Sequence, residues 1–223
     1  MLSENERRAQ MVSKINDEVV KNGFKSLTMD GIAKVMGISR GKLYQYFSNK
    51  DEVIEAVVSR YITYIENVTD IGNPVENAEF VDEFVSIFFQ NIILAGSASE
   101  VFLNDLRASY PDLYQNFSNL MNERDAVIRN FYHSGMKIGV FHKGMNAQLL
   151  TIQDQTMLSV LVIPKFLYIN GLNPGTAIRD YLKLRIVAVI DPAYHNLVNQ
   201  QKMEEQIKHI DEKFRRVLWN DSI

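Results

Sequence analysis

Residues 23–53 read GFKSLTMDGIAKVMGISRGKLYQYFSNKDEV, and this stretch decides how the N-terminal part of the chain folds. Thr28 and Ser39 are predicted N-caps, because their hydroxyls can accept a hydrogen bond from an amide in the first turn of a following helix. Gly37 ends the first helix, and the second covers about 39–46. Two short helices joined by a tight glycine turn predict a helix-turn-helix.

A longer helix is predicted before this pair. In residues 4–22 the apolar side chains recur at helical spacing on one face, and Gly23 supplies the stop. The apolar residues are Met11, Val12, Ile15 and Val19. The N-terminal part is therefore expected to be a three-helix unit with a small core of its own.

The second short helix has two different faces. Leu43 and Phe47 point together into the small core, so the opposite face is cationic, aromatic and polar. Gly41 lies at the centre of that outer face, where glycine costs about 1 kcal/mol relative to alanine. The cost is explained if another molecule must approach the backbone closely, as DNA does when a helix enters its major groove.

The outer face predicts which residues would read bases and which would hold phosphates. Arg40 is the best candidate for base readout, because a guanidinium can bond guanine O6 and N7 together, and Gln45 could reach a base edge. The other polar groups suit phosphates, which set the register. The predicted DNA-binding residues are Thr28, Ser39, Arg40, Gly41, Lys42, Tyr44, Gln45, Tyr46 and Lys50. For Tyr44 and Tyr46, packing between helices is the alternative.

The charge distribution agrees with an N-terminus that binds a polyanion. The whole chain has a formal net charge of -3. Residues 1–50 nevertheless hold nine Lys and Arg against five Asp and Glu, so the excess of acids lies in the remainder. Such segregation is typical of a nucleic-acid-binding head on an acidic body, although an ordinary solvated basic surface has the same count.

Composition argues against several other classes of protein. With 46% hydrophobic residues, no Cys and four scattered His, the chain is a folded globular protein for which no metal site and no cofactor are expected. No cluster resembles a catalytic triad, a paired-carboxylate site or a phosphate loop, so an enzyme is not expected. No apolar run reaches the ~18 residues of a membrane span and the N-terminus is not signal-like, which predicts a cytoplasmic protein.

Residues 23–53 resemble the DNA-binding head of TetR/AcrR-type transcriptional regulators. The family pattern is G-F-x-x-[LT]-T-x-x-x-I-A-x-x-x-G-[VI]-S-x-G-x-[LI]-Y-x-[YH]-F-x-x-K-[ED]-x-[LV], and the stretch fills it in order. The resemblance implies a homodimer whose heads read a palindromic operator in double-stranded DNA. It also implies release from DNA when a small molecule, expected to be partly apolar, binds a helical body.

The rest of the chain is predicted to be helical, which makes the fold class all-α. A helix-turn-helix DNA-binding domain at 1–50 would precede a helical ligand-binding and dimerisation domain at 51–223. Ser48 or Asn49 caps a helix that runs to about Thr69. Further helices are predicted at about 76–95, 98–109, 111–136, 145–170, 174–190 and 195–218, separated by Gly or Pro.

Aromatic and polar residues of the body are candidates for the ligand site. The predicted ligand-binding residues are Phe84, Phe88, Phe102, Tyr114, Phe117, Met121, Gln153 and Met157. The apolar members would line a cavity for a drug-sized molecule, and Gln153 would supply a polar anchor. The alternative is that these stripes are plain core.

Residues 157–163 are apolar on almost all sides, so more than one partner must cover them. Pro164 follows and is expected to kink or interrupt the helix. This run and the helix at 176–190 form the predicted dimer surface, and the resemblance implies pairing through a four-helix bundle. The apolar residues of the second helix are Ile178, Tyr181, Leu182, Ile186, Val189 and Ile190.

The segment 195–218 carries an apolar seam at heptad spacing, made of Met203, Ile207, Ile210, Phe214 and Val217. Two heptads are too short for a free-standing coiled coil. We expect the seam to dock beside the dimer helices and extend their interface. The alternative is packing within its own subunit.

These features together predict a ligand-responsive transcriptional regulator, a repressor that a small molecule releases from its operator. The alternative is a ligand-binding or scaffolding helical dimer that does not read DNA specifically. The absence of acidic substitutions on the basic outer face favours the first hypothesis.

Overall fold

The computed structural model describes residues 3–215, and the predicted all-α fold is confirmed. The helices are α1 Glu4–Asn22, α2 Met29–Met36, α3 Arg40–Tyr44, α4 Lys50–Thr69, α5 Asn77–Ser97, α6 Glu100–Ser109, α7 Pro111–Ile138, α8 Ala147–Leu161, α9 Pro164–Ile169, α10 Pro174–Val189 and α11 Gln200–Phe214, with a short 3₁₀ helix at Pro192–Leu197. No β-strand occurs in the described part of the chain, where a lone bridge pairs Phe141 with Ile190.

The predicted N-caps at Thr28 and Ser39 are confirmed, whereas α3 ends at Tyr44 and is shorter than the predicted helix at about 39–46. The Thr28 hydroxyl accepts from the Gly31 amide and the Ser39 hydroxyl from the Lys42 amide, both at 3.2 Å. Gly37 ends α2 in the left-handed conformation at φ 70°, which glycine adopts without steric cost. Local chemistry therefore fixes the turn of the helix-turn-helix.

The chain divides into two compact units. The first comprises Met1–Asn67 with Ala98–Asn122, and the second comprises Val68–Ser97 with Glu123–Ile223. The compact units therefore do not follow a cut after residue 50, and the assignment of 1–50 and 51–223 to separate roles stays a prediction.

In the first unit, α1 packs against α2 and α6. Phe24 contacts Phe102 of α6 edge to face, with ring centroids 6.0 Å apart. Asp105 accepts hydrogen bonds from the amides of Phe24 and Lys25 at 2.8 and 2.9 Å. The start of the α1–α2 connection is thus held by α6.

In the second unit, α5 lies at the centre of the packing. Its length and composition alone would allow it to cross a membrane, but half of that stretch is buried inside the protein. Its partners are α8, α11 and the short 3₁₀ helix. We conclude that α5 is a core helix, and that its apolar character serves this packing.

Two helices have other bounds than the sequence predicted. The 145–170 helix stops at Leu161, and α9 begins at Pro164, which cannot donate the backbone hydrogen bond needed to continue a helix. The 195–218 helix instead begins at Gln200, because the side chain of Asn199 caps it by accepting from the Lys202 amide at 3.0 Å.

The apolar seam of α11 is buried within its own chain. Met203, Ile207, Ile210 and Phe214 are covered where α11 packs on α10 and α5. A Cβ on Gly96 would lie 2.3 Å from the Phe214 ring, so glycine is what lets the ring approach α5. The prediction that the seam docks beside the 176–190 helix is confirmed by its packing on α10. The expectation that the seam extends a dimer interface is wrong, because the seam is buried within its own chain. Val217 lies outside the described residues.

The prediction of which α10 residues form the dimer surface is also wrong. The six apolar residues named on this helix and its C-terminal boundary are all buried in the core of the second unit: Ile178, Tyr181, Leu182, Ile186, Val189 and Ile190. The exposed apolar residues of α10 are Leu184 and Val187, which are 66% and 63% exposed. The packing of α10 against α8 and α11 selected the opposite face.

Candidate functional site

The exposed face of α3 is built on a buried anchor. Leu43 and Phe47 are buried in the first unit, as predicted. Their burial leaves the opposite face of the helix in solvent, and its exposed residues are Gly41, Lys42, Tyr44 and Gln45. The structure therefore presents a cationic and polar surface on a rigid support.

Arg40 is the first residue of α3 and is held from two sides. Its Nη1 lies 3.1 Å from Asp30 Oδ2 on α2, and its Nη2 donates to the Tyr44 hydroxyl at 3.4 Å. The guanidinium carbon also lies 5.5 Å from the centroid of the Tyr44 ring. The hydrogen bond to Tyr44 and the charge of Asp30 raise the pKa of Arg40, which therefore stays cationic.

The other residues predicted to contact phosphates differ in how far the protein itself already engages their polar groups. Lys50 donates from Nζ to the carbonyl of Lys25 at 3.1 Å, and Tyr46 is half-buried. The hydroxyls of Thr28 and Ser39 accept their cap bonds, which leaves each hydroxyl proton available to donate to a phosphate oxygen. All nine predicted residues lie within or next to the helix-turn-helix.

The predicted ligand-binding residues are not brought together in one unit. Phe84, Phe88, Gln153 and Met157 belong to the second unit, whereas Phe102, Tyr114, Phe117 and Met121 belong to the first. Within the second unit, the ring of Phe84 contacts Tyr132 and Phe141, and the ring of Phe88 contacts Phe89 and Tyr181. These two phenylalanines are core residues.

Within the first unit, Phe102 and Phe117 are buried, and Phe102 packs against Phe24 and Tyr61. Tyr114 and Met121 are half-buried, and Arg107 lies over the Tyr114 ring. In the second unit, Gln153 and Met157 are on the exposed side of α8. None of the eight predicted residues lines the cavity between α5 and α11 described next.

A cavity of about 210 Å³ lies between α5 and α11 in the second unit. Its lining includes apolar groups from Phe89 and Met203 and polar groups from Gln90 and Lys202. The position of this cavity was not predicted, because it arises where α11 crosses α5 and the sequence does not specify that crossing. Within residues 3–215, no three His, Asp or Glu side chains are grouped so as to hold a metal.

A buried polar cluster in the second unit was also missed by the sequence reasoning. Asp154 of α8 and Arg185 of α10 form an ion pair, and Tyr132 and Tyr181 donate to the Asp154 carboxylate at 3.1 and 2.9 Å. Burial raises the pKa of both tyrosines, so they remain neutral donors. The sequence offered little signal for this pair: Asp154 is the one charged residue of α8, but α10 carries Arg179, Asp180 and Lys183 besides Arg185.

A second buried arginine, Arg124 of α7, joins three segments of the second unit. It donates to the carbonyl of Val68, to Gln90 Oε1 at 2.8 Å and to Asn91 Oδ1 at 3.1 Å. Both terminal nitrogens of this buried charge thus donate to neutral acceptors. Arg124 secures the end of α4 to α5 within this unit.

The fold and the α3 surface define a helix-turn-helix protein with a helical body. Residues 17–57 match the family model described as bacterial regulatory proteins, tetR family. The chain is therefore similar to the tetR family over its helix-turn-helix and the start of α4. The chain is 38% identical over 50 residues to an uncharacterized HTH-type transcriptional regulator of Bacillus subtilis, YvaF, and 38% over 61 residues to the HTH-type transcriptional activator FasR of Mycolicibacterium smegmatis.

The aligned stretches cover 22% of this chain and 26% of YvaF, and 27% of this chain and 28% of FasR. The chain thus spans about a quarter of their length. A TetR-family transcriptional regulator from Marinobacter aquaeolei VT8 superposes with a TM-score of 0.60 over 93% of this chain and 98% of its own, at 18% identity. At that identity the likeness shows the shared fold, which extends through the helical body.

Proposed function

We propose that the protein is a DNA-binding transcriptional regulator that reads a palindromic operator as a homodimer. The observation that carries this proposal is the exposed α3 face, where Arg40, Lys42 and Gln45 stand opposite the buried Leu43 and Phe47. The N-terminal residues of a recognition helix are the ones that meet base edges in the major groove. The match of residues 17–57 to the tetR family supports the same role.

The individual roles follow from side-chain chemistry. Arg40 reads a guanine and Gln45 reads a second base edge. Phosphate contacts come from Lys42, Lys50, Tyr44 and Tyr46, and from the hydroxyls of Thr28 and Ser39. Gly41 allows the helix backbone to approach the groove.

The homodimer is proposed to form through the exposed apolar residues of α8 and α10. Leu149 and Ile152 on α8 are exposed, as are Leu184 and Val187 on α10. Exposed apolar groups on two helices of the same unit are what a self-complementary interface requires. A twofold dimer of this kind matches a palindromic site.

The effector is proposed to be a small, partly apolar molecule that binds the second unit. The cavity between α5 and α11 has the required mixture of apolar and polar lining, and its 210 Å³ suits a ligand below drug size. Phe84 and Phe88 lie on α5, whose position a bound ligand would influence. We propose repression in the cytoplasm as the biological setting and no catalytic role.

Selection of bound sequences from a random DNA pool tests the DNA-binding proposal. Recovery of a palindrome with half-sites separated by about one helical turn, ~34–36 Å, is the expected result. A pool that shows no enrichment would favour the helical dimer that does not read DNA. A thermal-shift screen followed by operator titration tests the effector proposal, and tight binders that leave operator affinity unchanged would contradict it.

A further inference from the structure

The exposed contact between Asp30 and Arg40 joins the two helices of the helix-turn-helix. Asp30 stands in the first turn of α2 and Arg40 at the start of α3, with Arg40 Nη1 3.1 Å from Asp30 Oδ2. Tyr44, one turn later on α3, contacts the same guanidinium through its hydroxyl and its ring. The guanidinium is therefore oriented by two neighbours.

Folding stability does not explain this arrangement. The side chains of Arg40 and Asp30 are 60% and 67% exposed, and water screens an ion pair in that setting so that it adds little to stability. An acid in the first turn of α2 favours the helix dipole, but that effect needs no partner on α3. The contact lies instead on the surface that the proposed function assigns to DNA.

We propose that Asp30 is a positioning residue that sets the orientation of Arg40 for base recognition. The inference rests on the proposed DNA-binding function and adds to it a residue outside α3. A free arginine side chain loses much rotamer entropy when it docks, and prior orientation lowers that loss. Because a guanidinium has five N–H donors, the two contacts to Asp30 and Tyr44 leave donors for guanine O6 and N7.

The charge of Asp30 adds a repulsive element to this recognition. When Arg40 turns towards a phosphate on non-cognate DNA, the Asp30 carboxylate loses its partner close to a polyanion. Such a complex is disfavoured by like-charge repulsion, whereas the cognate complex retains the pair. Asp30 thus favours base readout over nonspecific phosphate binding without touching a base.

A mutant cycle on DNA tests the proposal. Operator DNA from the random pool and its single base-pair variants are titrated with wild type, Asp30→Asn, Arg40→Ala and the double variant. Asp30→Asn is expected to bind nonspecific DNA more tightly and to lose about threefold to tenfold of its discrimination at the base pair that Arg40 reads, as contacting residues couple on this scale. On the Arg40→Ala background, the same change is expected to leave discrimination unaltered.

Glu4→Gln is the matched control. Glu4 is an exposed acid in the first turn of α1, so this variant makes the same change in charge and in helix-end electrostatics. It is expected to leave base discrimination unchanged.

Three results would overturn the inference while leaving DNA binding intact. The first is an Asp30→Asn variant that discriminates between bases as well as wild type. The second is a loss of discrimination on Asp30→Asn substitution that persists in the Arg40→Ala background. The third is an Arg40→Ala variant that loses no base preference. A wild-type protein that prefers no sequence would overturn the proposed function itself.

Discussion

Asp154 and Arg185 form an ion pair inside the second unit, with Arg185 Nε 2.6 Å from Asp154 Oδ1. The two residues come from α8 and α10, and Arg185 is 2% exposed. Two charges this deep offset each other's desolvation only while both are present. The pair therefore binds the two helices together beneath their exposed apolar residues.

Removal of one partner is expected to be severely destabilising. Asp154→Asn leaves the Arg185 charge buried without a counter-charge, and the expected loss is about 3–5 kcal/mol of unfolding free energy, measured by urea denaturation. Glu204→Gln is the control, because it breaks the more exposed pair with Arg179 and is expected to cost at most about 1 kcal/mol. Equal losses in the two variants would contradict this role for the buried pair.

Alkaline pH is expected to destabilise the first unit through Tyr61. Burial raises the pKa of Tyr61 well above its usual value. The folded protein favours the neutral form of Tyr61, so the free energy of unfolding is unaffected below the unfolded-state pKa of about 10. As pH rises from there towards the folded-state pKa, the free energy of unfolding falls by up to about 1.4 kcal/mol per pH unit. Tyr61→Phe is expected to show a shallower loss in urea midpoints between about pH 10 and 11.5.

The Tyr61 hydroxyl lies near the Asn16 side chain, but neither it nor the Asn16 oxygen makes a hydrogen bond of ordinary geometry among the described residues. Tyr61→Phe should therefore retain its stability at neutral pH, since it removes an unsatisfied group. Tyr168→Phe, at an exposed position, is the control. A Tyr61→Phe variant with the same alkaline slope as wild type would refute the assignment.

The capped starts of α2 and α3 could be predicted from the sequence, whereas the buried faces of the later helices could not. The cap at Ser39 depends on atoms within a few residues, so local chemistry determines it. Leu184 and Ile186 are almost adjacent and similar in hydrophobicity, yet one is exposed and the other buried. Their difference is decided by α8 and α11, which pack against α10 from elsewhere in the chain.

The same limit applies to the candidate sites. The α3 surface could be predicted because its residues follow one another on a single short helix. Asp154 and Arg185 are far apart in the chain, and neither carries a local sign of its partner. The cavity between α5 and α11 likewise depends on a long-range helix crossing.

Substitutions on α10 and α11 are expected to separate dimerisation from folding. Leu184→Glu combined with Val187→Glu places charges on the exposed residues of α10, and the product is expected to be a folded monomer by sedimentation velocity. Ile207→Ala opens a cavity in the buried seam of α11 and is expected to cost about 2–5 kcal/mol while the dimer persists. A dimer that persists in the α10 variant but dissociates in Ile207→Ala would locate the interface on α11.

Salt dependence is expected to identify the phosphate contact of Lys42. This side chain is exposed on α3, so docking on DNA would release a counterion. Lys42→Ala is expected to weaken binding to all sequences and to reduce the slope of log affinity against log salt by about 0.9 for each half-site. An unchanged slope would show that Lys42 contacts no phosphate.

Gly41 is expected to show opposite effects on folding and on DNA binding. A Cβ at this position would meet nothing within 4 Å, and the residue is not among the glycines with positive φ. The chain's own packing therefore does not require glycine, and Gly41→Ala is expected to stabilise the first unit by up to about 1 kcal/mol in urea denaturation. The added methyl group would project from the face proposed to enter the groove, so operator affinity in gel shifts is expected to fall.

Gly37→Ala is the control for this comparison. A Cβ there also meets open space, but φ is 70°, so alanine would be strained and stability is expected to fall by about 1–2 kcal/mol. The two glycines thus share open surroundings and differ in backbone conformation. A Gly41→Ala variant that binds operator as tightly as wild type would show that DNA does not approach this part of α3, and α3 would then have to bind the groove through its Arg40 end alone.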